Sequence, residues 1–153
     1  MTPAELRSSF SLSSIYALRM LGLFLVLPVF ALEAARLPGG DDLALVGLAM
    51  GIYGLAQACM QIPLGWASDK LGRKPIIIGG LLLFAAGCWL GYVAETVEQL
   101  VWARALQGAG AISAALSALL ADVTRDEVRS KGMAMIGASI GVTFALSLVF
   151  SPV

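Results

Sequence analysis

The sequence predicts an all-α integral membrane protein, a bundle of about five transmembrane helices. Apolar residues make up 59% of its 153 positions and charged residues only 13%, whereas soluble domains carry roughly 25% charge. The charge is also segregated, gathering in short stretches between apolar runs of about 20 residues, long enough to cross a hydrocarbon core of about 30 Å. Mean hydropathy is +0.88. Length alone would permit one soluble domain; the distribution excludes it. The formal net charge of zero gives no reason to expect a nucleic-acid partner, and the partner these runs demand is a lipid bilayer.

The elements follow in chain order. Met1 to Ser9 is short and polar, with Glu5 and Arg7. The first apolar run, 10–32, is too long for a signal peptide, holds Arg19 and Pro28, and has no clean small-x-small cleavage site. It reads as a spanning helix kinked near Pro28. Glu33 to Asp42, with Pro38-Gly39-Gly40-Asp41-Asp42, reads as a loop. The second run, 43–66, carries Gly47, Gly51, Gly54, Gln57 and Gln61.

Gly65 to Pro75 is the most pointed stretch: charged, punctuated by glycine, and wedged between two apolar runs. It predicts a tight hairpin, with Gly72 taking φ > 0 and Pro75 opening the next helix. The third run is 76–93, followed by a short loop carrying Glu95 and Glu98. The fourth, 100–121, is rich in Ala, Gly and Ser and contains Arg104. Asp122 to Lys131 reads as a second charged loop, and 133–153 as a fifth run.

Orientation follows from the basic residues. Arg7, Lys70, Arg73, Lys74, Arg125, Arg129 and Lys131 fall on one side, and only Arg36 on the other with Glu33, Asp41, Asp42, Glu95 and Glu98. The positive-inside rule then puts the N-terminus in the cytoplasm.

Chemistry is sparse. There is no histidine, and Cys59 and Cys88 both lie in apolar runs, where they read as small buried hydrophobes. No metal site and no cofactor is expected. Gly108-Ala109-Gly110 is no dinucleotide fingerprint, because no strand precedes it. The pairs Gly47/Gly51 and Gly137/Gly141 space small residues one turn apart and allow a neighbouring helix to approach closely. The intramembrane arginines say more. Arg19 and Arg104 each cost at least about 2.5 kcal/mol at a helix centre, so they should face a polar interior. Tyr53, Gln57, Gln61 and Gln107 are the polar groups that could line a path with them.

Together these residues carry a resemblance. Gly65-x-x-Ser68-Asp69-x-x-Gly72-Arg73-Lys74-Pro75 resembles the signature loop of the major facilitator superfamily. Leu100-x-x-x-Arg104-x-x-Gln107-Gly108-x-Gly110-Ala111 resembles that superfamily's fourth-helix motif. Leu21-Gly22 with Pro28-Val29 resembles the first-helix pattern of its drug/proton antiporter branch. Leu18 to Gly22 and Asp122 to Arg125 are similar to YajR-type bacterial efflux proteins.

The resemblance implies proton-coupled efflux of small amphipathic compounds across a bacterial inner membrane by alternating access, with the site near the midplane. It implies a substrate and proton path at Arg104, Arg19, Gln57, Gln61, Tyr53 and Gln107. It also implies a cytoplasmic latch of Gly65, Asp69, Gly72, Arg73 and Asp122 that grips a second half of the transporter. Such proteins have two six-helix halves, so the chain is expected to be most of an N-terminal bundle, inactive alone, with its C-terminal half missing. No mid-membrane acid is visible to carry the proton. Two rivals stand beside this reading: a small self-assembling transporter or channel subunit, and a membrane enzyme, which the lack of a nucleophile–base pair disfavours.

Overall fold

The computed structural model describes residues 1–110 and 112–150, and its regular structure is helical. The helices are α1 (Pro3–Ala34), α2 (Leu43–Leu71), α3 (Arg73–Tyr92), α4 (Val97–Ala109), α5 (Ser113–Val123) and α6 (Asp126–Phe150). Five stretches among the described residues are long and apolar enough to cross a membrane, with α4 and α5 together providing one, Val97–Val123. The predicted fifth run extends beyond the described residues at 151–153.

The helices run past the apolar stretches because their ends are capped by polar side chains. Thr2 and Glu5 form a capping box: the Glu5 carboxylate accepts from the Thr2 N–H at 2.6 Å, and the Thr2 hydroxyl accepts from the Glu5 N–H at 3.3 Å. Asp42 caps α2 by accepting from the N–H groups of Ala44 and Leu45. Thr96 caps α4 by accepting from the Gln99 N–H. Pro28 and Pro63 both lie inside continuous helices.

Two predicted loops are mostly helix. Gly65 to Leu71 belongs to α2, and Gly72 alone, with φ 98° and ψ 153°, separates it from α3. The expected positive φ is present, but the turn is one residue rather than eleven. Likewise α6 begins at Asp126, inside the predicted second loop. Charged side chains cap and pair along these turns, so polarity there marks where a helix leaves the apolar run, not where it stops.

The chain divides into two compact units, Met1–Phe30 with Ser117–Val153, and Ala31–Leu116. In the second unit α4 packs on both α2 and α3. The approach is close enough to require glycine. A Cβ on Gly108 would lie 2.3 Å from the Tyr53 carbonyl oxygen, one on Gly110 2.4 Å from the Gly80 carbonyl oxygen, and one on Gly87 2.7 Å from the Gln107 backbone nitrogen. The α1–α2 turn docks on the start of α4, where the Val97 N–H donates to the Pro38 carbonyl at 3.2 Å.

In the first unit the rings of Phe24 (α1) and Phe144 (α6) meet edge to face at 5.2 Å. Gly132 on α6 faces Leu120 and Ser9.

Two expectations about packing are corrected. A Cβ on Gly47, Gly51, Gly137 or Gly141 would meet nothing within 4 Å, so neither pair is a helix contact in this chain. Spacing along a helix says that two glycines share a face, not which face a neighbour takes. Cys59 and Cys88 are exposed rather than buried, because an apolar run also supplies the helix faces turned away from the protein, where a thiol is equally at home.

Candidate functional site

The most deeply buried charged group among the described residues of the second unit is Arg104. It lies on α4, two turns in from the Thr96 cap, and is only 3% exposed. Its guanidinium carbon sits 4.9 Å from the centroid of the buried Tyr53 ring on α2, a cation–π arrangement that strengthens when water is excluded. Its Nη1 donates to Gln107 Oε1 at 2.9 Å, one turn along the same helix. Gln107 Nε2 in turn reaches Cys88 Sγ on α3 at 3.6 Å. The glycines make this arrangement possible. Gly108 lets α4 lie against the backbone of Tyr53, and Gly87 lets α3 lie against Gln107.

The structure thus brings together three predicted path residues, Tyr53, Arg104 and Gln107. Gln57 and Gln61 are half-buried on α2, and the covered Gln61 Oε1 finds no hydrogen-bond partner among the described residues. An apolar groove of about 480 Å³ involving Cys59, Trp102 and Leu106 holds none of the predicted path residues.

The predicted latch residues of this unit also form a connected group. Arg73 pairs with Asp69 one turn back and donates to Ser68 Oγ at 2.8 Å. Ser68, 1% exposed, donates to the Gly65 carbonyl at 2.7 Å. Gly72 supplies the sharp turn that folds Arg73 back towards Asp69. Lys70 lies over the exposed Trp66 ring at 4.0 Å.

Arg19 and Asp122 belong to the first unit. Arg19 is 3% exposed on α1, and Asp122 is exposed in the last turn of α5. Around Asp122 the chain is pinned: Thr124 Oγ1 donates to the Leu120 carbonyl, and Arg129 pairs with Asp126 at 2.6 Å.

One strong contact of this unit escaped the sequence reading. Arg125 Nε donates to Glu5 Oε1 at 2.9 Å, and the Arg125 N–H donates to the same oxygen at 3.3 Å. Glu5 stands on the polar lead-in before the apolar run. The Arg125 guanidinium and the Thr2 N–H hold its carboxyl far below the usual range, at about 2. The same pairing raises Arg125 above its ordinary value. The capping signature Thr2-x-x-Glu5 was the available signal, but nothing local points 120 residues on.

This constellation can be set beside known proteins. Residues 12–153 match the family model described as Major Facilitator Superfamily. The chain belongs to that superfamily. It is 50% identical over its whole length to the inner membrane transport protein YajR of Escherichia coli K12, covering 34% of that protein. It is 32% identical over 127 residues to the class D tetracycline resistance protein of Salmonella ordonez, covering 79% of this chain and 31% of that one. It is also 32% identical over 130 residues to the quinolone resistance protein NorA of Staphylococcus aureus, covering 82% of this chain and 32% of that one. The chain spans about a third of the length of these superfamily relatives.

Proposed function

We propose that this major facilitator chain forms the N-terminal part of a multi-pass inner-membrane transporter that exports small amphipathic compounds in exchange for protons. The reading is of a transporter rather than an enzyme. The observation that carries it is Arg104, a permanent cation buried in an apolar span and held by an aromatic ring and an amide. A charge so placed is costly to keep and marks a ligand or ion path in a membrane protein. Relatives named for tetracycline and quinolone resistance point to the same substrate class.

In this reading Arg104, with Tyr53 and Gln107, forms one wall of the path, with Gln57 and Gln61 on the same helix as Tyr53; Arg19 is assigned to the path by the resemblance alone. Arg104 either holds the substrate or sets the proton affinity of an acid supplied outside this chain. Asp69 and Arg73, with Gly65 and Gly72, form part of a cytoplasmic latch, exchanging partners as the two halves of the transporter rock; Asp122 is assigned to the latch by the resemblance alone. The N-terminus is cytoplasmic; a reporter fused after Asp41 should signal from the opposite side.

The test is Arg104→Ala in a full-length transporter carrying these residues, assayed by efflux from cells and in proteoliposomes. Transport should be lost while membrane insertion is kept, and unchanged efflux would overturn the role. The 153-residue polypeptide alone should insert and carry no flux; flux through a defined homo-oligomer would favour the self-assembling alternative.

A further inference from the structure

Helix α1 buries a run of polar groups. Glu5, Ser9, Ser13, Tyr16 and Arg19 are all buried, with Leu12 among them, whereas Leu6, Phe10, Leu18 and Leu32 are exposed. At 100° per residue the five polar groups fall within one stripe about 120° wide, and from Glu5 to Arg19 it runs about 21 Å along the axis. It begins at the Glu5–Arg125 bridge and passes inward through two serines and a tyrosine to a buried guanidinium.

The two serines are the informative members. Ser9 is 0% and Ser13 6% exposed, yet neither hydroxyl finds a hydrogen-bond partner among the described residues. A serine in a helix has a fallback, the carbonyl four residues back. Ser11 and Ser14, away from the stripe, use it, donating to the Arg7 and Phe10 carbonyls at 2.9 Å. Ser9 and Ser13 do not. A buried hydroxyl left unmatched costs the full desolvation of its oxygen, and water is the usual partner where there is room. A Cβ on Gly132 would stand 3.4 Å from Ser9 Oγ and 3.3 Å from the Leu120 methyls, so α6 lies close beside the hydroxyl without supplying it a partner.

We propose that the buried face of α1 is a hydrated track, in which water molecules held by Ser9 and Ser13 run inward from the Glu5–Arg125 bridge towards Arg19. The occupant is water; the track brings solvent to a buried charge along one helix and needs no wide cavity. Its existence does not depend on the transport reading above.

The test uses this chain in liposomes with Cys59 and Cys88 replaced by alanine. Single cysteines are placed at Ser9, Ser13, Ile15 and Leu18 and exposed to silver ion, which enters narrow water-filled spaces. A thiol ionises and reacts only where water reaches it. Ser9→Cys and Ser13→Cys should react at least about tenfold faster than Leu18→Cys on the exposed apolar face and Ile15→Cys, half-buried outside the stripe. Serine-site cysteines as inert as Leu18→Cys overturn the track, and so does Ile15→Cys reacting as fast as they do, since that would mean a generally loose helix. None of these readouts requires transport, so they stand or fall separately from the efflux assay.

Discussion

The glycines of this chain should divide sharply in what a methyl group does to them, and Gly108 is the decisive case. A Cβ there would lie 2.3 Å from the Tyr53 carbonyl oxygen and 3.0 Å from both the Tyr53 carbonyl carbon and Ala56 Cβ. Two of these three contacts are with backbone, which cannot rotate away as a side chain can. Relief therefore requires α2 and α4 to separate. Overpacking of this kind costs about 1–3 kcal/mol, and the rigidity of the obstructing atoms puts Gly108→Ala at the upper end. The same separation draws the Tyr53 ring away from Arg104. Gly51 on α2 is the control, because a Cβ there meets nothing within 4 Å. Gly51→Ala should be neutral or stabilising by about 0.5–1 kcal/mol, through the lower backbone entropy of the unfolded chain. Both variants of the 153-residue chain would be unfolded thermally in detergent, with tryptophan fluorescence reporting on the unit that contains α2–α4. If Gly108→Ala melts no lower than Gly51→Ala, the inferred approach of α4 to α2 is wrong.

Other outcomes follow from single contacts. Tyr53→Leu should lower the stability of the α2–α4 unit by about 0.5–2 kcal/mol through loss of the ring under Arg104. Tyr53→Phe, which keeps the ring, should lose less; equal losses in the same melt would remove the cation–π account. Gly72 has φ 98° and ψ 153°, a region essentially restricted to glycine, so Gly72→Ala should cost about 1–3 kcal/mol. A melting temperature equal to the parent's would refute the one-residue turn. The Glu5 carboxyl titrates at about 2 when folded, against an ordinary 4.5. The unfolded chain therefore binds more protons between these values, so the contribution of Glu5 is complete above about pH 4.5 and fades as pH falls towards 2. Arg125 stays charged throughout that window and adds no slope. Thermal melts of parent and Glu5→Gln should thus differ at pH 6 and draw together as pH falls towards 2; a gap independent of pH would rule the bridge out.

How much of this was legible in the sequence depended on whether the signal was local. The spans were readable because hydropathy is a sum over neighbours, and five apolar stretches fell where the helices fall. The turn at Gly72 was readable because positive φ is a property of one residue. The extent of the helices was not, because Asp69, Arg73, Asp126 and Arg129 look like loop residues until their pairings one turn apart are seen.

At the site the division is similar. Arg104 and Gln107 lie three apart on one helix, so their meeting is implied by spacing. That Tyr53 rather than Gln57 supplies the partner from α2 depends on how deeply Gly108 lets the helices approach. The glycine pairs that looked most like packing motifs face open space, and the working contacts at Gly80, Gly87, Gly108 and Gly110 follow no single spacing rule. Glycine earns its place here by what lies opposite it, and what lies opposite comes from another helix. The same holds for Glu5 and Arg125, 120 residues apart, and for Ser9 lying close against Gly132. Each of these helices is apolar enough to be recognised alone; its polar residues acquire a role only when a second helix fixes which side is inside.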